Sequence, residues 1–210
     1  MKIKPISHRI AELSVLCGML CTIFISLAGF EEKCDALRNG VLRLHIIANS
    51  DSEADQAVKL LVRDRILTEA AIFAEADGLA AAESAASAAL PDITAAATAV
   101  LTENGFTYGA VAEVGESYFE TREYEDFTLP AGNYRSLIIK LGKAEGKNWW
   151  CVVFPSVCLP AASKARLSDS VEGKAAEIAE TPNKYIMRFK AVELYEDLKE
   201  RISSKASHGK

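Results

Sequence analysis

The chain has 210 residues, half of them hydrophobic, which suits one domain with a real core plus an appendage. The formal net charge is −5, and residues 1–28 carry a positive surplus, so the body of the chain is more acidic than the whole. This acidity argues against nucleic-acid binding, which needs a basic face, and fits a soluble ectodomain or a partner-binding surface.

The N-terminal stretch is an uncharged run, Leu13–Phe30, preceded by cations such as Lys2 and Arg9 and followed by Glu31-Glu32. This charge asymmetry places the N-terminus in the cytoplasm and the body outside. The length fits a slightly short membrane span or a long signal-peptide core, and Ser26-Leu27-Ala28 offers small residues at the usual cleavage positions. We therefore predict that residues 1–30 form a signal peptide or membrane anchor, followed by a polar linker over 31–40.

The next segment, Leu42–Ala48, alternates like a strand and ends at the turn-forming cluster Asn49–Ser52. Ser50 and Glu53 have the capping-box spacing, which predicts a helix that begins near Asp51. An apolar stripe continues along this helix through Val58, Leu61, Val62, Ile66, Ala70 and Phe73. Asp55, Lys59 and Arg63, four residues apart, form a charged row that predicts surface ion pairs on another face.

The rest of the chain divides into Ala-rich helices, then strands, then a final helix. The helices cover Leu79–Leu101 with a break at Pro91, and Asn104-Gly105 ends them. We predict one hairpin from the strands Tyr108–Val114 and Tyr118–Tyr124, and a second from Tyr134–Leu141 and Trp149–Phe154. After a loop with some helix at Pro160–Pro182, we predict a strand at Lys184–Lys190 and a helix at Ala191–Ile202.

This order of elements predicts an α+β fold, with a mainly antiparallel sheet of about five to six strands covered by helices on one face. The N-terminal signal or transmembrane helix precedes it. The predicted ectodomain spans residues 41–204, and residues 205–210 form a disordered tail.

Five cysteines are present. Cys17 and Cys21 lie in the apolar run, whereas Cys34, Cys151 and Cys158 lie in the predicted exported part, where disulfides persist. Pro155 can turn the chain back so that Cys151 pairs with Cys158. Alternatively, Cys151 is a small buried hydrophobe on a strand.

Candidate catalytic and metal-binding residues are few. His45, Ser50 and Asp51 have the residue types of a hydrolase, but no nucleophile-elbow motif accompanies them, and Ser50 and Asp51 are more economically explained as helix caps. The oxygen ligands of Asn49, Asp51 and Asp55 lack the spacing of a calcium loop. We therefore predict no catalytic set, no metal and no cofactor.

The pair Trp149-Trp150 lies on a predicted strand, where neighbouring side chains point to opposite faces of the sheet. One ring can therefore belong to the core while the other meets a covering helix or a partner. Tryptophan is enriched among residues that dominate binding energy, which makes the exposed ring a candidate contact.

Three blocks of the sequence form a recognisable set. The first is HIIANSDS-x-x-DQ-x-x-K-x-x-VRD, from His45 to Asp64. The second comprises Leu129–Tyr134 and Gly146–Pro155, and the third is Arg188-Phe189-Lys190 followed by Glu193. Together, over roughly residues 41–193 and in family order, these blocks resemble the stage II sporulation protein R family of endospore-forming bacteria.

The resemblance implies an exported signalling protein rather than an enzyme. Family members pass from the forespore into the space between the two membranes and activate a membrane-embedded aspartic protease of the mother-cell membrane, which processes pro-sigma-E. The implied partners are that protease and, through the N-terminal segment, a membrane, with no nucleic acid and no small-molecule substrate.

The resemblance assigns no residue roles, so candidate contacts come from chemistry and expected exposure. They are His45, Asn49, Ser50, Asp51, Asp55, Gln56, Lys59, Arg63, Asn148, Trp149 and Trp150. Two alternatives remain open: an exported hydrolase that uses His45, Ser50 and Asp51, and an envelope structural or interaction protein.

Overall fold

The computed structural model describes residues 5–69, 76–124, 127–157, 167–171, 173–181 and 185–207. The helices are α1 (Pro5–Arg38), α2 (Glu53–Glu69), α3 (Leu79–Ala88), α4 (Leu90–Glu103), α5 (Gly173–Glu180) and α6 (Ile186–Ser207). The strands are β1 (Leu42–Ile47), β2 (Ala110–Phe119), β3 (Arg122–Glu123), β4 (Thr128–Leu129), β5 (Gly132–Leu141) and β6 (Asn148–Phe154). This is an α+β fold, as predicted.

The main sheet has four strands in the order β2-β5-β1-β6, and β3 pairs with β4 in a separate small sheet. Because β1 runs parallel to β5 and antiparallel to β6, the sheet is mixed. The prediction of a mainly antiparallel sheet of five to six strands was therefore wrong. The reason lies in β1, whose side chains are buried on both faces, as is typical of a central strand.

Neither predicted hairpin forms in the main sheet. β1 lies between β5 and β6, so the loop at Gly142–Lys147 joins two strands that do not pair. β2 continues through Gly115-Glu116, because Gly115 stays extended and pairs with Ser136 of β5. Gly115-Glu116 can therefore remain extended, because β5 pairs with β2 along its whole length.

Helices cover both faces of the sheet, not one as predicted. Leu42, Leu44 and Ile46 point into a core formed with α2, α3 and α4, which confirms the predicted alternation of β1. The opposite face packs against the C-terminal part of α1 and against α5 and α6. The sheet is thus the middle layer of three, and its two hydrophobic cores take alternate residues of each strand.

α1 is longer than the predicted anchor and continues into the domain. The predicted linker is helical as far as Arg38, and Phe30, Cys34 and Leu37 are buried in the core. Ile10–Arg38 is long and apolar enough to cross a membrane, and only 6% of its most apolar window is buried. Because burial begins at Phe30, cleavage at Ala28 would remove none of the described core residues.

α2 begins later than predicted, and Ser52 rather than Ser50 caps it. The Ser52 hydroxyl accepts a hydrogen bond from the Asp55 backbone N–H at 3.1 Å, the position that a capping side chain serves. Within the predicted apolar stripe, Val58, Val62 and Ile66 are buried but Leu61 is 47% exposed. Ala70 and Phe73 lie outside the described residues.

Ser52→Ala should lower the free energy of unfolding by about 1 kcal/mol, since the cap of α2 is lost. Ser87→Ala is the matched control, because Ser87 lies exposed inside α3, where alanine is at least as good a helix former. Urea unfolding of both variants measures the difference. Equal stability of the two variants would mean that the cap contributes nothing.

The strand predicted near the C-terminus was wrong, because this segment is helical. Residues 186–190, predicted as a strand, form the first turns of α6. Tyr185 and Phe189 are four residues apart, so a helix places both rings against Phe30 of α1. α6 includes the predicted helix and extends to Ser207, into the segment predicted as a disordered tail.

Candidate functional site

The Asp55 carboxylate organises the turn between β1 and α2. It is 5% exposed and accepts hydrogen bonds from the Asn49 amide at 3.0 Å, the Ser50 hydroxyl at 2.5 Å and the Tyr108 hydroxyl. Burial alone would raise the pKa of Asp55, but these donors outweigh it and lower the pKa from 3.8 to about 2. The carboxylate is therefore a charged structural acceptor at neutral pH.

The same turn holds the loop between β5 and β6. Backbone N–H groups of Lys143 and Lys147 donate to the side chains of Asn49 at 2.9 Å and Asp51 at 2.7 Å. The Gly146 N–H donates to the Ala48 carbonyl at 2.9 Å. We call the unit formed by residues 48–59, residues 142–147 and Tyr108 the clasp.

Lys59 completes the clasp instead of forming a surface ion pair. The Lys59 residue is 4% exposed, and its ammonium group donates to the Gln56 amide oxygen at 2.7 Å and to the Lys147 carbonyl at 2.9 Å. Gln56 in turn donates to the Ser50 carbonyl at 2.9 Å. The predicted exposed charged row is therefore wrong for Asp55 and Lys59, which serve the interior of the clasp.

Sequence reasoning missed Tyr108, Gly142 and Gly146 as parts of this unit. A Cβ atom at Gly146 would overlap the Ser50 carbonyl, and one at Gly142, where φ is +54°, would overlap the Asn49 side chain. The two glycines could have been flagged as sites of close backbone approach. No local pattern, however, indicates which distant segment approaches them.

The structure does not bring His45, Ser50 and Asp51 together. His45 lies 3.3 Å from the Ser117 hydroxyl and packs against the rings of Phe119 and Trp150. Burial lowers the pKa of His45, and nearby positive charges act in the same direction. Ser50 and Asp51 make their described hydrogen bonds within the clasp instead. Across the described residues, no group of three or more His, Cys, Asp or Glu could hold a metal ion.

Trp149 and Trp150 line an open cleft at the edge of β6. The described lining also includes Arg63, Asp64 and Leu67 of α2, Arg122, Glu123 and Tyr124 of the β3 region, and Cys151, around a volume of about 400 Å³. Trp149 packs with the α2 face of the sheet and Trp150 with the opposite face, which confirms that the two rings point to opposite sides. Both indoles are half-buried, so each contributes to a core and to the cleft.

Each indole has an arginine beside it. The Arg63 guanidinium lies 5.2 Å from the Trp149 ring centroid, and the Arg122 guanidinium lies 5.3 Å from that of Trp150. Arg63 also pairs with Asp64 at 2.7 Å. Asn148, the other predicted contact on this strand, is exposed at the start of β6. The cleft therefore presents aromatic and guanidinium groups to solvent, whereas the interior of the clasp does not.

Arg43, which sequence reasoning placed only on a strand face, is a fully buried cation behind the cleft. Its guanidinium lies 3.7 Å from the Phe119 ring centroid and donates to the Tyr124 hydroxyl at 2.7 Å. Its Nε and Nη1 atoms have no hydrogen-bond partner, and no described carboxylate pairs with it. Burial lowers the pKa of Arg43. The signal available in the sequence was an arginine within an otherwise apolar strand.

Arg43→Met should raise the free energy of unfolding by about 1–2 kcal/mol. A buried charge without a carboxylate costs more desolvation energy than its contacts return, and methionine fills similar space. Arg65→Met is the control, since Arg65 is half exposed on α2. Urea unfolding followed by tryptophan fluorescence measures both. A loss of stability in Arg43→Met would mean that the guanidinium is net stabilising.

Cys151 is disulfide-bonded, and Cys17, Cys21 and Cys34 are free thiols. Its predicted partner, Cys158, lies outside the described residues, so the pairing itself stays a prediction. A disulfide at Cys151 constrains β6, the edge strand that carries the cleft.

Fold and site together define an α+β domain preceded by an apolar helix that fits a signal sequence or membrane anchor. The family model for Stage II sporulation protein R matches residues 38–164, more than half of the chain, and the chain belongs to this family. The family resemblance is thereby confirmed, and the match covers the first two blocks, whereas the third block, at residues 188–193, lies outside the matched residues. The match contains the whole main sheet, the clasp and the cleft.

A curated relative is the Stage II sporulation protein R of Bacillus subtilis (strain 168), which is 32% identical over 141 residues. The alignment covers 67% of this chain and 63% of the relative, so it spans less than two thirds of the relative's length. No solved structure matches the chain.

Proposed function

We propose that this protein is an exported sporulation signal that activates a membrane-embedded aspartic protease and thereby triggers processing of pro-sigma-E in the mother cell. The observation that carries the proposal is the family match over residues 38–164. Membership supports a role in sporulation, and the name of the Bacillus subtilis relative denotes no enzyme. The protein acts by binding, and binding shifts the protease toward its active state.

The N-terminal helix supports export from the forespore. Its described apolar side chains before Phe30 are exposed, whereas Phe30 begins the buried part of the helix. Exported in this way, the domain reaches the space between the forespore and mother-cell membranes, either released or anchored. There it meets the part of the protease that faces this space.

The geometry suggests separate roles for the predicted contact residues. Five of these residues form hydrogen bonds with one another or with the loop after β5, and so hold the clasp in shape: Asn49, Ser50, Asp55, Gln56 and Lys59. Arg63, Trp149 and Trp150 line the cleft and remain accessible to a partner. We propose that the clasp is the positioning element and that the cleft is the contact surface.

The test is reconstitution of pro-sigma-E processing in a non-sporulating host that carries the protease. The full chain should produce processed sigma factor on an immunoblot, and cells without the chain should not. A chain that lacks residues 1–28 is the control, because it keeps every described core residue but loses the export segment. Absence of processing despite verified export, or equal processing by the unexported control, would contradict the proposal.

A serine-directed probe separates this function from the hydrolase alternative. The exported protein should remain unlabelled, since Ser50 donates its hydrogen bond to Asp55 and no described contact joins it to His45. Labelling that disappears in His45→Ala would instead support catalysis.

A further inference from the structure

The cleft along β6 combines aromatic surface with charged groups of both signs. Its lining is balanced in charge, with the guanidinium groups of Arg63 and Arg122 and the carboxylates of Asp64 and Glu123. The local excess of positive charge comes from Arg43, which is buried directly behind the wall and donates a hydrogen bond to Tyr124. This local excess contrasts with the net charge of −5 for the chain. The cleft therefore differs in charge from the protein that surrounds it.

The three guanidinium groups are unequally neutralised. Arg63 pairs with Asp64 at 2.7 Å, but Arg122 is exposed and makes no ion pair within the described part of the chain. Arg43 lies one side chain behind the surface, joined to Tyr124 of the cleft wall by a hydrogen bond. In the low-dielectric interior its charge is poorly screened, so it adds positive potential at the cleft.

We propose that this cleft binds an acidic segment of a protein partner, whose carboxylates pair with Arg122 and Arg63 over the two tryptophan rings. The inference rests on the proposed function, for which it names the chemistry of the partner's contact segment. Arginine pairs with carboxylates in two-pronged geometry, and a tryptophan face beneath the guanidinium holds it in position. The cleft's volume of about 400 Å³ accommodates side chains of a peptide rather than a single small ion.

The only two tryptophans of the chain both line this cleft, so intrinsic fluorescence reports binding directly. The full chain in an uncharged detergent is titrated with an acetylated peptide that alternates Glu and Ser. The matched probe replaces each Glu with Gln, and free glutamate at the same carboxylate concentration represents a small anion. We expect saturable quenching with the acidic peptide alone, and weaker affinity as salt is raised.

Arg122→Gln should weaken binding of the acidic peptide about tenfold, the loss expected for one charge-assisted contact. Arg65→Gln is the control, because Arg65 lies on α2 but outside the cleft. Arg43→Met removes the charge behind the wall but leaves Arg63 and Arg122 in the lining, and should weaken binding less than Arg122→Gln does. Equal affinity for the Gln peptide or for free glutamate, or equal affinity of Arg122→Gln and Arg65→Gln, would overturn the inference.

Reconstituted processing separates this inference from the proposed function. If the full chain triggers processing, binds no acidic peptide and tolerates Arg122→Gln, the cleft assignment fails while the function stands. If it binds the peptide but triggers no processing, the function fails while the cleft assignment stands.

Discussion

Asp55→Ala should lower the free energy of unfolding by about 3 kcal/mol. The change removes the common acceptor of Asn49, Ser50 and Tyr108, and partly buried donors left without a partner are costly. The first turn of α2 also loses a favourable negative charge. Urea unfolding, followed by the fluorescence of the two tryptophans, measures the loss.

This stabilisation should depend on pH in the acidic range. Because the pKa of Asp55 is lowered to about 2 in the folded protein, its contribution is present above pH 3.8 and is lost as pH falls toward 2. The difference between the unchanged protein and Asp55→Ala should therefore shrink over this interval. A difference that stays constant from pH 5 to about pH 2 would contradict the charged state assigned to Asp55.

Asp64→Ala is the control for the same helix. Asp64 is 60% exposed and, among the described residues, forms an ion pair with Arg63 beside it alone, so its replacement should change stability by less than about 0.5 kcal/mol. Equal effects at positions 55 and 64 would mean that the clasp does not depend on its central carboxylate.

Gly146→Ala should lower the free energy of unfolding by about 2 kcal/mol and reduce reconstituted pro-sigma-E processing. The new Cβ atom would overlap the backbone carbonyl of Ser50, which cannot move without breaking the clasp. Displacement of the loop also shifts Asn148 and the tryptophans that follow it at the start of β6. Thermal unfolding and the immunoblot for processed sigma factor measure the two effects.

The matched control is Gly109→Ala, where an added Cβ atom would lie 3.8 Å from the Thr98 hydroxyl oxygen, an ordinary contact. This variant should retain stability and processing. If Gly146→Ala behaves like Gly109→Ala, then close docking of the loop against the turn is not required.

The clasp marks the point at which sequence reasoning fails. The block from His45 to Asp64 was identified correctly as a strand, a polar turn and a helix, because alternation and capping are local signals. Its polar side chains were expected at the surface. They instead form hydrogen bonds with Tyr108 and with the loop Lys143–Lys147, which lie far away in sequence. The exposure of these side chains could therefore not be inferred from the turn itself.

Strand order shows the same limit. The segments Tyr134–Leu141 and Trp149–Phe154 were both predicted as strands, and β5 and β6 confirm them. Their pairing with each other was wrong, since β1 lies between them. A short glycine-containing loop indicates that two strands are connected, but only the burial of β1 on both faces decides that a third strand separates them.

The sequence alone determined the family, the apolar N-terminal segment, most helices and strands, and the opposite orientation of the two tryptophans. These follow from composition, periodicity and motif, which are properties of neighbouring residues. The tertiary structure decided the mixed sheet, the helical entry of α1 into the core, the buried charge of Arg43 and the cleft that gathers arginines from α2 and β3 around β6. Each of these depends on which distant segments pack together, and that choice is made by the burial of the whole chain.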